Sequence, residues 1–304
     1  MLVTLDSVVE YVRPLRGGSQ PFLARASDGQ LYVVKFNGNP QGQNVLLNEC
    51  VGNELYRLCG LPVPEWTPLR LTSSFLKRNQ WCWPEEGGVF RPSAGLCFGS
   101  RFLCEGSRLY EILPGSSLGR VRNREAFWLA WLIDVCAGHA DNRQALFLNQ
   151  KESGIDAVFI DHGHMFGGAD GTKVISPAAS RYLDLRIYEG VSSSYLRTIP
   201  QAIQRLDVNY LWHWVQALPR EWQTESALQR ISECLSRMSE EEFVVRTLDA
   251  MAVYHRQTQE RGNDFSQLRP RLPDEILHSG VLCAGGVQPC VGEQQQYTAT
   301  SNAA

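Results

Sequence analysis

Two aspartates stand at a spacing that suits chemistry. Asp141 lies in Gly138-His139-Ala140-Asp141-Asn142-Arg143-Gln144, and Asp161 lies 20 residues further on in Ile160-Asp161-His162-Gly163. Between them run two short apolar stretches, Ala145 to Leu148 and Ala157 to Ile160, separated by the turn-forming Lys151-Glu152-Ser153-Gly154. That pattern predicts a β-hairpin with an aspartate at each end. A hairpin returns on itself, so its ends sit side by side. Two carboxylates there suit phosphoryl transfer: one accepts the proton of an attacking hydroxyl while the other holds Mg²⁺ on nucleotide phosphates. The same pattern also fits a surface hairpin with aspartates at turn positions, where they are common, so the surrounding elements have to decide.

Upstream, Ala126 to Ala137 is apolar nearly all round. This predicts a fully buried helix ending at Gly138, a rigid anchor for the loop that holds Asp141. Nearer the N-terminus two antiparallel strands are expected, the first opening on the loop Gly17-Gly18-Ser19-Gln20-Pro21 and the second reading Tyr32-Val33-Val34-Lys35-Phe36. Backbone N–H groups of a glycine loop approach phosphate closely because glycine has no Cβ, although most Gly-Gly pairs are only turns. A lysine in so apolar a strand is either on the solvent face of an edge strand or a cation aimed into a cleft. The place of Lys35 between a glycine loop and a helix favours the cleft.

That helix is expected over about 44–58, closed by Gly60 and then Pro62 and Pro64, with Leu47, Val51, Leu55 and Leu58 as its apolar stripe. Glu49 and Glu54 are both candidates to pair with Lys35, or are solvated charges, the commoner fate of a helix glutamate. Periodicity puts Glu54 near the stripe and Glu49 on the opposite side. Residues 65–120 read as irregular to β-rich, with a strand over 96–102. Further helices are expected over about 201–206, 209–218, 225–238 and 240–256, with Trp212, Trp214 and Trp222 as packing residues. From residue 259 Gln, Ser, Gly, Pro and Thr dominate, which predicts a mostly disordered tail over 259–304.

Composition sets the class. The chain has 304 residues, 43% hydrophobic and 20% charged, with net charge −3. That is globular, long enough for one large domain or two lobes, and without the basic footprint of direct nucleic-acid binding. The longest apolar run, Phe127 to Ile133, is far short of the roughly 18 residues that span a bilayer, so no membrane association is expected. Met1 to Asp6 carries no signal-peptide pattern, and the nine cysteines are scattered without a Cys-x-x-Cys pair. A reduced cytoplasmic protein is the expectation.

Taken in order, these pieces resemble the HipA-like kinases, a bacterial group with a two-lobed protein-kinase-like fold. The resemblance runs over about residues 15–255. It is carried by the glycine loop, the strand around Lys35, Asn48-Glu49 followed by Leu58-Cys59-Gly60-Leu61-Pro62-Val63-Pro64, His139 to Gln144, and Ile160-Asp161-His162-Gly163. It implies an α+β fold over about 1–258, with a β-rich N-lobe over about 1–105, a mainly helical C-lobe over about 120–258, and a hinge between about 100 and 114. It implies ATP and Mg²⁺ as cofactors. Gly17, Gly18, Ser19 and Gln20 would cover the phosphates, and Lys35 would bind them with Glu49, rather than Glu54, as its partner. Asp141 would be the catalytic base and Asp161 the Mg²⁺ ligand.

The sequence departs from the family in two places. The asparagine that commonly stands five residues after the catalytic aspartate is Leu146 here, in a shorter loop. Either Gln144 or Asn142 then offers an amide oxygen as second metal ligand, or that ligand is missing. No Ala-Pro-Glu follows Asp161-His162-Gly163, unlike eukaryotic-type kinases with a long activation segment. The expected function is an ATP- and Mg²⁺-dependent phosphotransferase acting on protein serine or threonine. The alternatives are a small-molecule kinase on the same fold and a pseudokinase that binds nucleotide without transfer. Retention of Lys35, Asp141 and Asp161 together favours an enzyme; no motif names the acceptor, protein or small molecule.

Overall fold

A computed structural model describes residues 5–82, 91–103, 108–149, 154–171, 178 and 180–260. The N-lobe holds strands β1 (Val8–Pro14), β2 (Phe22–Ala26), β3 (Leu31–Lys35), β4 (Trp66–Leu71) and β5 (Gly95–Arg101). They form one antiparallel sheet in the order β1-β2-β3-β5-β4. The glycine loop joins β1 to β2, and Lys35 ends β3 opposite Phe98 of β5. A short helix, α2 (Ser73–Arg78), follows β4 with Thr72 as its N-cap, an element not expected from the irregular composition of 65–120.

The helix α1 (Val45–Leu58) follows β3. It closes in a Schellman motif: Gly60 sits at φ 80°, its N–H reaching the Arg57 carbonyl and that of Leu61 the Tyr56 carbonyl. A single apolar stripe does not describe it. Every residue from Val45 to Tyr56 is buried, including Asn48, Glu49, Asn53 and Glu54. The helix is enclosed on all sides, so each polar side chain has to find a partner within the protein.

The C-lobe opens with β6 (Arg108–Tyr110), then α3 (Ala126–Ala137), β7 (Gln144–Asn149) and β8 (Ile155–Ile160). The three strands form a small antiparallel sheet in the order β6-β7-β8, so the strands of this lobe begin ahead of residue 120. Residues 104–107, at the centre of the expected hinge, and the turn at 150–153 lie outside the described residues. Among the described residues five α-helices follow: α4 (Ser193–Leu196), α5 (Ile199–Gln204), α6 (Val208–Gln216), α7 (Glu225–Met238) and α8 (Glu241–Glu260). Of these, α4 was not expected, and α8 runs to Glu260, past the start expected for the tail; residues 261–304 lie outside the described residues. The helix α3 is buried from Phe127 to Ala137 and packs against α5, α7 and α8 at the centre of the large core. A smaller core lies between the N-lobe sheet and α2. No described helix is long and apolar enough to cross a membrane.

Candidate active site

The hairpin forms as its spacing predicts. β7 and β8 pair from Gln144↔Ile160 to Asn149↔Ile155. Asp141, three residues before β7, and Asp161, directly after β8, therefore lie at the same end. The buried α3 delivers the chain there through Gly138, whose left-handed φ of 70° turns it sharply into the loop. The buried His139 ring spans both backbones: Nδ1 lies 2.6 Å from the Asp141 carbonyl and Nε2 3.2 Å from the Asp161 carbonyl. The Asp141 carboxylate is half-buried and accepts the Asn142 N–H at 2.7 Å.

Behind the loop stands a strut that the motif reading missed. Arg143 is fully buried and binds Asp134 of α3 through two contacts, Nε–Oδ2 at 2.8 Å and Nη2–Oδ1 at 3.0 Å. Its Nη1 donates to the Ile160 carbonyl at 2.7 Å, and its guanidinium lies 5.0 Å over the Tyr56 ring. Tyr56 of α1 in turn donates its hydroxyl to Asp134 at 2.7 Å. One buried network thus joins α1, α3 and both ends of the hairpin. A signal existed: Asp134 is the sole charge in an otherwise apolar helix, and a charge there needs a buried partner.

Lys35 supplies the link between lobes. Its Nζ contacts Glu49 Oε1 and lies 2.7 Å from Asp161 Oδ1. Glu49 also accepts the N–H groups of Gly163, at 2.8 Å, and His162, at 3.2 Å. Glu54 is occupied elsewhere, by Arg57 at 2.6 Å. Both faces of α1 are buried, so the nearness of Glu54 to the apolar stripe does not decide which glutamate meets β3. Burial alone would lower the Lys35 pKa, but the two carboxylates raise it above the usual lysine value. Burial alone would raise Asp161, and Lys35 outweighs it, holding that carboxyl below the usual range. Glu49 is pushed up by burial, which Lys35 offsets only in part.

Asp161 sits at φ 63°, a left-handed conformation that costs a residue other than glycine about 1 kcal/mol or more. Its Oδ2 accepts Gln144 Nε2 at 2.7 Å. Of the two candidate amides, that of Gln144 is thus brought to Asp161, while Asn142 meets Asp141 through its backbone N–H. Leu146 lies within β7, opposite Val158 of β8. Among the described residues no group of three His, Cys, Asp or Glu side chains is placed to hold a metal unaided. One carboxylate with one or two amide oxygens nevertheless fits Mg²⁺, which keeps several waters and shares itself with phosphate.

The glycine loop is braced from below. Ser19 is buried, Asn39 donates to its carbonyl at 3.1 Å, and Gln20 stands at φ 46°. Gly18 lies so close to Gln41 that a Cβ there would come within 2.7 Å of the amide nitrogen. Gln41 then reaches His164, 3.0 Å away. The stretch His162 to Ala169 is buried throughout, not an open loop. Asn48 of α1 ties it down by donating to the carbonyls of Gly163 and Met165 at 3.0 and 2.9 Å.

His162 makes stability depend on pH. Burial, reinforced by the Arg143 cation, holds its pKa well below the ordinary histidine value. The unfolded chain therefore takes up a proton as pH falls through about 6.5 while the folded chain does not, and stability present above that pH is lost below it. Urea unfolding at stepped pH should show His162→Asn losing less stability than the parent, by up to about 1.4 kcal/mol per unit below about pH 6. Parallel curves for the two proteins would show that His162 does not titrate on unfolding.

Residues 8–108 match the family described as HipA-like kinase. Among solved structures, the chain is similar to the Helicobacter pylori proinflammatory kinase CtkA at 13% identity and a TM-score of 0.51, over 80% of this chain and 99% of that one. It is also similar to the Golgi casein kinase at 12% identity and a TM-score of 0.45, over 80% of this chain and 74% of that one. A second structure of that kinase, with Mn/ADP bound, gives 12% identity and a TM-score of 0.43, over 78% and 73%. No curated protein matches. The fold is the α+β protein-kinase-like one, a β-rich N-lobe followed by a mainly helical C-lobe, and the HipA-like match covers the N-lobe.

Proposed function

We propose that the chain is an ATP- and Mg²⁺-dependent phosphotransferase whose acceptor is a serine or threonine hydroxyl of a protein. The observation that carries this reading is Lys35, held between Glu49 of α1 and Asp161 across the lobes. Such a cation is pre-positioned for nucleotide phosphates, with no reorganisation left for the moment of reaction. The backbone of Gly17 to Gln20 would cover the phosphates. Asp161, with the carbonyl oxygen of Gln144 or Asn142, would hold the cation, which neutralises charge developing on the transferred group. Asp141 would orient the acceptor hydroxyl and take its proton. The protein acceptor is supported by the HipA-like match alone. The six described cysteines are all free, which suits the cytoplasm.

A thermal-shift titration tests the binding half. Ligand at 100 times its Kd adds about 2.7 kcal/mol to stability, so excess Mg-ATP should raise Tm by several degrees, and Lys35→Ala should lose most of that rise. No shift, or an equal shift in Lys35→Ala, would overturn the reading.

A further inference from the structure

The C-lobe also grips the N-lobe sheet near the start of β5. β3 ends at Lys35, opposite Phe98, so β5 runs on past it and Leu96 has no β3 partner. Both backbone groups of Leu96 are satisfied from the other lobe. Its N–H donates to Glu221 Oε1 at 2.6 Å, and its carbonyl accepts Trp222 Nε1 at 3.1 Å. Glu221 and Trp222 belong to a 3-10 turn, Arg220–Trp222, between α6 and α7. That turn is itself braced, because Gln223 donates to the Leu218 carbonyl at 2.6 Å and Trp222 is only 2% exposed.

Two neighbouring contacts extend the grip. Trp214 of α6 meets Trp66 of β4 edge-on at 6.0 Å, and Trp66 stacks on Phe98 at 5.5 Å, the residue paired with Lys35. Thr224, the N-cap of α7, donates to Asn44, which precedes α1 and its Glu49. Residues 214–224 therefore touch the strand in register with Lys35 and the start of the helix that carries Glu49. They lie outside the part of the chain that matches the HipA-like family.

We infer that Glu221 and Trp222 are positioning residues: they clamp the N-lobe onto the C-lobe at the start of β5, so that Lys35, Glu49 and Asp161 are assembled before nucleotide arrives. This rests on the kinase reading for its consequence but not for its structure. A clamp that favours the assembled state removes the fraction by which apparent affinity is otherwise reduced. Loosening it should weaken Mg-ATP binding while leaving turnover at saturation intact, because bound nucleotide closes the cleft again.

The variants are Glu221→Ala, which removes the acceptor for the Leu96 N–H, and Glu221→Gln, which keeps one. Hydrogen–deuterium exchange without nucleotide should show Glu221→Ala speeding exchange at Leu96 and along α1, with Glu221→Gln close to the parent. Titration with Mg-ATP should then give Glu221→Ala a Kd and KM about 3-fold weaker, the loss of one solvent-exposed hydrogen bond, with kcat for ATP turnover unchanged. Faster exchange at Leu96 alone, with α1 unaffected, would overturn the clamp, as would a fall in kcat at constant KM, the mark of a merely destabilised protein. A protein whose α1 exchange responds as expected but that binds no nucleotide would keep the clamp and overturn the kinase reading instead.

Discussion

Asp141→Asn should cut phosphoryl transfer by orders of magnitude while leaving nucleotide affinity nearly unchanged. The substitution keeps shape and the oxygen that accepts the Asn142 N–H at 2.7 Å, so the loop has no reason to move. It removes only the ability to accept a proton. General-base assistance is worth about 10²–10⁴-fold, and transfer should fall by that factor. The loop is held independently of this side chain, by His139 across the two carbonyls and by Arg143 on Asp134, so Tm should stay close to the parent value. Phosphate transfer from labelled ATP into a cell lysate or into the protein itself, beside a nucleotide titration, reads both quantities. Undiminished transfer would remove Asp141 from the mechanism.

Asp161→Asn has a different signature. Here the lost charge is the one that would face the metal, and a metal ion contributes several kcal/mol of charge stabilisation to the transition state, so transfer should drop by about 10³-fold. Nucleotide affinity should also fall, and its dependence on Mg²⁺ should flatten, which Asp141→Asn does not do. Lys35 keeps Glu49 as a counter-charge, so the buried ammonium is not orphaned and the fold should survive. Gln144→Ala should repeat the Asp161→Asn behaviour more mildly, since Gln144 meets Asp161 directly at 2.7 Å. Affinity measured with and without Mg²⁺ on the three variants separates base from metal ligand. Unchanged Mg²⁺ dependence in Asp161→Asn would show that the cation is held elsewhere.

The sequence alone determined the elements whose pattern is local. The hairpin was legible because two apolar runs and the turn residues between them lie within 20 positions, and the buried helix because Phe127 to Ala137 is apolar nearly all round, with Asp134 its single charge. Lys35 stood out because a lone cation in an apolar strand has few structural uses. Tertiary structure alone decided what those residues meet. Periodicity reports which face of a helix is buried, and α1 is buried on both, so the pattern of α1 does not separate Glu49 from Glu54; the motif resemblance pointed to Glu49, and the fold puts it on Lys35 while Arg57 takes Glu54. The brace of Gln41 under Gly18, the Arg143–Asp134 strut and the grip of Trp222 on Leu96 likewise join positions with no shared repeat. Lys35 and Asp161 are 126 residues apart, and a contact closed over such a distance leaves no periodic trace in the chain, because what brings its ends together is the packing of everything between them.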